Sequence, residues 1–337
     1  MSIRLWLLNA WLRLTVKPML SVTRDPARMR ASLESNARRL FRAPDDANFV
    51  ADSIRRSGEY AADGDEDRLA LMWASCGRPN RRRVILYLHG GAFIAGSIRT
   101  HRHIAARLAG AAGCRAVLPE YSLAPEHPFP AGLDDAEMTY RHLLETGYAP
   151  GAIALAGDSA GGGMVFALLM RLQKHDLPAP SCVVGFSPWV DLTGTAKSLE
   201  RNALRDVMLP AKRFTDVARF YLGDLSRTND PEASPVLGDF ISPPPALIMA
   251  SRSEILEDDA VTLAARLREA GGDVQLDLWR RTPHAWPVFA GLLKQADNAV
   301  ARAGAFINRR LDERAPEEQN GNGTEISGAI SVKQSEQ

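Results

Sequence analysis

The pentapeptide Gly157-Asp158-Ser159-Ala160-Gly161 stands between a short apolar run, Ala152 to Ala156, and an apolar helical pattern from Gly162 to Leu172. Strand, sharp Gly-x-Ser-x-Gly turn and helix lift a serine hydroxyl above a sheet edge, with the N-terminus of the helix aimed at it. The tight turn demands small neighbours on both sides. A serine hydroxyl is a weak nucleophile unless a base stands beside it, so the motif requires partners elsewhere in the chain. By itself the pentapeptide also fits a glycine-rich turn with an incidental serine. The remaining residues decide between the two.

A second segment, His89-Gly90-Gly91-Ala92-Phe93, follows the strand-like run Val84 to Leu88. Acyl transfer passes through a tetrahedral oxyanion, and backbone N–H groups fixed around that oxygen stabilise it by about 3 kcal/mol each. Glycines allow the close approach. The N–H of Ala160, at the start of the helix after the serine, is a third donor.

The base must be a histidine, and the chain has seven. His142 and His175 fall in helical patterns away from strand ends, His101 and His103 open a helix, and His127 sits in a proline-rich loop. His89 belongs to the glycine loop. His284, in Thr282-Pro283-His284-Ala285-Trp286, comes just after the last predicted strand and is the base these positions select. An acid between Ser159 and His284 must fix the imidazole tautomer and stabilise the imidazolium. The segment Ser251 to Asp259 offers Glu254, nearest the strand Ala246 to Ala250, and Asp258. Asp258 and Asp259 suit the first turn of the next helix, where negative charge meets the positive dipole end. Glu254 is favoured and Asp258 stays the alternative.

Four motifs resemble the bacterial hormone-sensitive-lipase-like esterases of the α/β-hydrolase superfamily. They are His89 to Phe93, Tyr121 to Ala131 (YSLAPEHPFPA), Gly157 to Gly162 (GDSAGG) and Pro283 to Trp286 (PHAW), and the likeness runs from about Val84 to about Pro287. The resemblance implies a nucleophile at Ser159, a base at His284 and an acid at Glu254, the first acidic position of an acid-x-Leu-x-Asp segment. It implies oxyanion donors at Gly91, Ala92 and Ala160. It further implies cofactor-free hydrolysis of esters with short or medium acyl chains, with an acetyl-hydrolase or lactone hydrolase using the same groups. This chain has Ala92 where the family usually has a third glycine, and Glu254 where it more often has aspartate. The Tyr121 to Ala131 segment is expected to be scaffold, and Asp158 to bond locally and support the turn.

These groups need a scaffold, and the pattern from Arg83 onward supplies one. Strand runs at 84–88, 115–118, 153–156, 182–186, 246–250 and 274–278 alternate with helical patterns at 100–112, 133–145, 165–174, 258–270 and 292–311. Such alternation predicts an α/β-hydrolase fold, a mostly parallel sheet flanked by helices, with reactive groups at the carboxyl ends of the strands. Residues 1 to about 55 read as helical, and residues 190 to about 235, anchored by Phe214, Phe220 and Tyr221, interrupt the alternation. Both are candidate caps over a catalytic domain spanning 56–312. Residues 313–337, rich in Glu, Gln, Asn, Gly and Ser, are expected to be disordered.

The 337 residues, 45% hydrophobic and 24% charged, suffice for one large core. A net charge of +1 gives no reason to expect a nucleic-acid partner. Cys76, Cys114 and Cys182 form no CxxC pair and no even set, which favours reduced thiols and a cytoplasmic location. No HExxH or HxxEH spacing exists, so neither a metal nor a cofactor is expected. In Met1 to Leu20, Asn9, Arg13 and Lys17 share one side of a helical wheel, while Leu7, Leu8, Trp11, Leu12 and Leu14 share the other. A helix packed over the protein body is expected, and a peripheral membrane contact is the sharper alternative. A small-molecule ester is the expected partner, and a homo-oligomer is open. A non-catalytic receptor on this fold is disfavoured because Ser159, Glu254 and His284 are all present; an amidase would use the same three groups.

Overall fold

The computed structural model describes residues 2–56 and 68–313. Its strands are β1 (Ala47–Arg55), β2 (Arg68–Cys76), β3 (Asn80–Leu88), β4 (Cys114–Pro119), β5 (Ile153–Asp158), β6 (Cys182–Phe186), β7 (Ala246–Ser251) and β8 (Val274–Trp279). They form one sheet in the order β1-β2-β4-β3-β5-β6-β7-β8. β2 runs antiparallel to both β1 and β4, and every other pairing is parallel. The helices are α1 (Ile3–Trp11), α2 (Lys17–Val22), α3 (Pro26–Leu40), α4 (Ile98–Ala112), α5 (Ala131–Glu145), α6 (Ser159–Lys174), α7 (Ser198–Arg201), α8 (Phe214–Leu222), α9 (Glu257–Glu269) and α10 (Lys294–Glu313). A π-helical turn, Leu12–Val16, joins α1 to α2.

The central strands are buried on both faces, as parallel strands covered by helices must be. Along β3, Val84, Leu86 and Leu88 enter a core shared with α5, α6 and α9, while Ile85 and Tyr87 enter one shared with α4 and α10. The period of two is the pleat of the strand. From β3 the chain passes to β4 on one side and from β5 to β6 on the other, so the connections diverge between β3 and β5. A crevice opens at the carboxyl ends there.

All six strands and five helices expected from the pattern are present. The expectation of helix through residue 55 is corrected: α3 ends at Leu40 and residues 47–55 are strand β1. β1 lies at the sheet edge and is exposed along most of its length, so no apolar row marks it. Its neighbour β2 buries Leu69 and Leu71 in alternation with exposed Arg68 and Ala70, a short pattern the sequence reading passed over. The expected tail lies, from residue 314 onward, outside the described residues.

The orientation of the N-terminal helices also differs from the wheel. The polar row faces the protein. Asn9 donates to the Arg281 carbonyl (3.0 Å), Arg13 to the carbonyls of Leu204 (3.2 Å) and Arg205 (3.3 Å), and Lys17 to those of Ala203 (2.7 Å) and Asp206 (2.6 Å). Leu5 and Leu12 are buried, but Leu7 and Leu14 point to solvent. Carbonyls at the ends of loops need donors, and a row of cationic and amide side chains supplies them. The Arg13 and Lys17 contacts join the N-terminal helices to the segment between β6 and β7, which carries α7 and α8.

Gly163 in α6 shows how closely the layers pack. An added Cβ there would lie 1.9 Å from the Trp189 carbonyl oxygen. Alanine gains about 1 kcal/mol of helix propensity over glycine, but the obstacle is backbone and cannot yield. Gly163→Ala is therefore expected to destabilise the protein by about 2 kcal/mol or more, read as a lowered thermal midpoint; an unchanged or raised midpoint contradicts the packing.

Candidate active site

Ser159 follows the last residue of β5 and begins α6 with φ +52°. Left-handed backbone at a non-glycine residue costs on the order of 1–3 kcal/mol and persists only where its surroundings enforce it. A Cβ on Gly161 would stand 2.2 Å from the Leu88 carbonyl oxygen, and one on Gly157 would stand 2.6 Å from that of Gly161. The glycines of the motif are thus required by close approach to β3. The Trp189 N–H donates to the Ser159 carbonyl (3.0 Å), which fixes the turn from the β6 side.

The hydroxyl of Ser159 lies 2.8 Å from His284 Nε2, and His284 Nδ1 lies 2.6 Å from Glu254 Oε2. Glu254 is 1% exposed and His284 3%. A buried carboxylate must be hydrogen-bonded to be tolerated. Here Oε1 accepts from the Ser251 N–H (2.7 Å) and the Ser187 hydroxyl (2.9 Å). The Ser187 oxygen in turn accepts from the Ala285 N–H (3.0 Å), so one serine ties Glu254 to the loop that carries His284. Burial pushes His284 downward, but the hydrogen bond and charge of Glu254 outweigh it, and the pKa lies above the ordinary histidine value. Asp258, the alternative acid, sits away from His284 in the first turn of α9, where it accepts from the Ser198 N–H (2.8 Å) and pairs with Arg201. Asp259 accepts from the N–H groups of Val190 and Asp191 (both 3.0 Å).

On the other side of the serine runs the glycine loop after β3. Gly91, Ala92 and Phe93 all have positive φ, of 133°, 58° and 62°. Among the described residues the N–H groups of Gly91, Ala92 and Ala160 have no protein acceptor, and that of Ala160 is one of the unpaired donors of a helix start. The loop is held from several directions. Tyr121 donates its hydroxyl to the His89 carbonyl (2.7 Å), and its ring stacks on the His89 ring at 4.2 Å. The Ala124 N–H donates to the Phe93 carbonyl (3.0 Å), and Arg30 of α3 donates to the carbonyls of Ile94 (2.8 Å) and Ala124 (2.9 Å). The Tyr121 to Ala131 segment therefore braces this loop. Burial lowers the His89 pKa to about 3, so its ring stays neutral.

Asp158 does not bond locally as expected. Its side chain caps no N–H of α6. Instead Oδ1 accepts from the Tyr87 hydroxyl (2.8 Å) and the Gly90 N–H (3.1 Å), and Oδ2 lies 3.5 Å from His101 Nε2. The short turn points this carboxylate across to β3 and joins the serine turn to the glycine loop. Burial raises its pKa, but His101 and Tyr87 outweigh that and hold it below the ordinary carboxylate range.

A cavity of about 180 Å³ reaches Ser159, His284, Gly91 and Ala92. Its walls are apolar, with Trp11, Val16 and Leu20 from the N-terminal helices and Met208 and Leu209 from the segment before β7. Asp206 accepts from the N–H groups of Met208 and Leu209 (both 2.8 Å) and of Ile255 (3.0 Å), and Asn202 donates to the Glu254 carbonyl (2.9 Å). Ser187, Asn202 and Asp206 escaped sequence reasoning because none belongs to a motif. The position of Ser187 just after β6 was the one available sign.

Strands β3, β5, β6, β7 and β8 each end at this site, so fold and geometry define a serine-hydrolase type of centre on a parallel α/β sheet. Residues 85–288 match the α/β hydrolase fold family, and the chain belongs to that family. An acetyl-hydrolase of Streptomyces hygroscopicus is 38% identical over 238 residues, covering 70% of this chain and 79% of that protein. An esterase of Acinetobacter venetianus is 33% identical over 224 residues, 66% of this chain and 74% of its own. A crystal structure of an esterase from the bacterial hormone-sensitive lipase family superposes with a TM-score of 0.83 at 34% identity, covering 92% of this chain and 99% of that one.

Three outcomes follow from this geometry. Protonated His284 cannot accept a proton, so kcat/KM is expected to fall as pH drops through a pKa above the usual ~6.5 of histidine. Glu254→Gln removes the raising influence and leaves burial. The acid limb of the profile should then move to lower pH, with a rate loss on the order of 10³–10⁴; an unmoved limb contradicts the assignment of Glu254. Ala92→Gly relieves left-handed strain of roughly 1–2 kcal/mol against a smaller gain in unfolded-state freedom. Chemical denaturation should show a variant about 1 kcal/mol more stable; a less stable one argues against the loop conformation.

Proposed function

We propose that the protein hydrolyses carboxylic esters through a covalent acyl-enzyme on Ser159. The observation that carries this reading is the continuous relay from Glu254 through His284 to the Ser159 hydroxyl, at 2.6 and 2.8 Å. His284 Nε2 takes the proton as Ser159 Oγ attacks the ester carbonyl. The carbonyl oxygen becomes an oxyanion facing the N–H groups of Gly91, Ala92 and Ala160. His284 then gives its proton to the leaving alkoxide, and the C–O bond to the alcohol breaks. Water enters, loses a proton to His284 and attacks the acyl carbon; the carboxylic acid departs as Ser159 regains its proton. Glu254 accepts from His284 Nδ1 and holds the imidazole in the tautomer that presents a free Nε2.

The narrow apolar cavity supports short to medium acyl groups, because it is smaller than the ~300 Å³ at which drug-sized pockets begin. The methyl group of Ala92 lies in its wall and favours the short end of that range. The similarity to an acetyl-hydrolase agrees with acetyl esters as substrates. The segment carrying α7 and α8 acts as a cap, since Met208 and Leu209 close one wall.

The test is a series of p-nitrophenyl esters from acetate to dodecanoate. Activity is expected to be highest at acetate or butyrate, and Ser159→Ala should lower kcat by about 10⁴-fold or more. Undiminished hydrolysis by the alanine variant would refute the mechanism, and a maximum at dodecanoate would refute the acyl preference.

A further inference from the structure

The outer side of the N-terminal helices carries large apolar side chains beside the exposed Arg4, Arg13, Thr15 and Ser21. Ile3 is 78% exposed, Trp6 56%, Leu7 55%, Leu14 75% and Val22 76%. Contiguous exposed apolar side chains of this size mark an interaction surface. Residues 1–24 contain Arg4, Arg13, Lys17 and Arg24 and no acidic side chain. Beside the stripe, Trp6, Asn9, Arg13, Arg205, Ser253 and Arg281 line a second cleft. No carboxylate lines it. Among the described residues the guanidiniums of Arg205 and Arg281 have no partner, and Arg13 bonds carbonyls alone. Three cations thus share one cleft without a counter-charge.

We infer that this face seats the protein on an anionic phospholipid surface, with the leucines and Trp6 in the acyl boundary and the arginines of the cleft on lipid phosphates. An apolar stripe flanked by basic groups is the arrangement that binds the interface plane, and each arginine near such a surface adds attraction. Trp6 suits the headgroup level, where one end of the ring is wet. A second copy of the chain fits less well: twofold packing of this face on itself brings like-charged clefts together. The location also gives the contact a use. Trp11, Val16 and Leu20, on the inner side of the same helices, line the cavity that reaches Ser159. Among the described residues no helix is long and apolar enough to cross a membrane, so the contact is peripheral.

The test is cosedimentation of the full chain with sucrose-loaded vesicles of phosphatidylcholine alone or mixed with phosphatidylglycerol. Binding should be stronger on the anionic vesicles and should weaken as salt rises. Leu7→Ser and Leu14→Ser should each weaken binding about tenfold, and Arg205→Gln and Arg281→Gln about fivefold each. Hydrolysis of a soluble p-nitrophenyl ester by the leucine variants, which lie outside the cavity wall, should match that of the unaltered protein. That readout also separates failure of docking from failure of the esterase reading. If the leucine variants do not fold, the arginine variants and the salt series carry the test. Absent vesicle binding, equal binding to neutral and anionic vesicles, or self-association that the leucine substitutions abolish in place of vesicle binding would each overturn the inference.

Discussion

A carboxylate without water must have its lone pairs met by donors, and the site depends on how Glu254 meets that demand. Its three donors come from three places: Ser251 at the end of β7, Ser187 after β6 and His284 after β8. The charge can be buried only if those strand ends stand in register, so the sheet and the relay require each other. The cap is drawn in as well. Asn202 and Asp206 bond the peptide unit that follows Glu254, at its carbonyl and at the Ile255 N–H. The segment that shapes the cavity thereby also holds Glu254.

Asp158 makes a matching arrangement on the opposite side of the nucleophile. Its contacts with Tyr87, Gly90 and His101 tie the serine turn to the loop of candidate oxyanion donors. Ser159 and Ala92 both hold left-handed backbone that relaxed alanine or serine would avoid. The strain is local, and the bonds that enforce it come from outside: Trp189 onto the serine carbonyl, Tyr121, Ala124 and Arg30 onto the loop. Donors fixed in this way need no reorganisation when the oxyanion forms, which is where such sites gain most of their rate.

The parallel strands were legible in the sequence because burial on both faces writes a continuous apolar run. β1 was not, because an edge strand exposed on most of its length needs no such run. Ser159 and His284 were legible from their local motifs and strand ends, and Glu254 from its place after β7. Ser187, Asn202 and Asp206 were not, since a serine or an aspartate that bonds backbone from a distant segment leaves no local spacing. The N-terminal helices pack over the protein body as the wheel suggested, with Leu8, Trp11 and Leu12 inward, but the wheel takes polar side chains as facing water, whereas Asn9, Arg13 and Lys17 face carbonyls of the protein. The leucines that remain outside are what the wheel assigned to the core.

The proposed mechanism has Glu254 and His284 activate one serine, Ser159. Reaction with a fluorophosphonate, followed by intact mass and peptide mapping, reads this directly because phosphonylation requires an activated hydroxyl. A single adduct is expected on Ser159, formed rapidly in the unaltered protein and slowed by orders of magnitude in His284→Ala. An adduct on another residue, or labelling of Ser159 undiminished in His284→Ala, would contradict it.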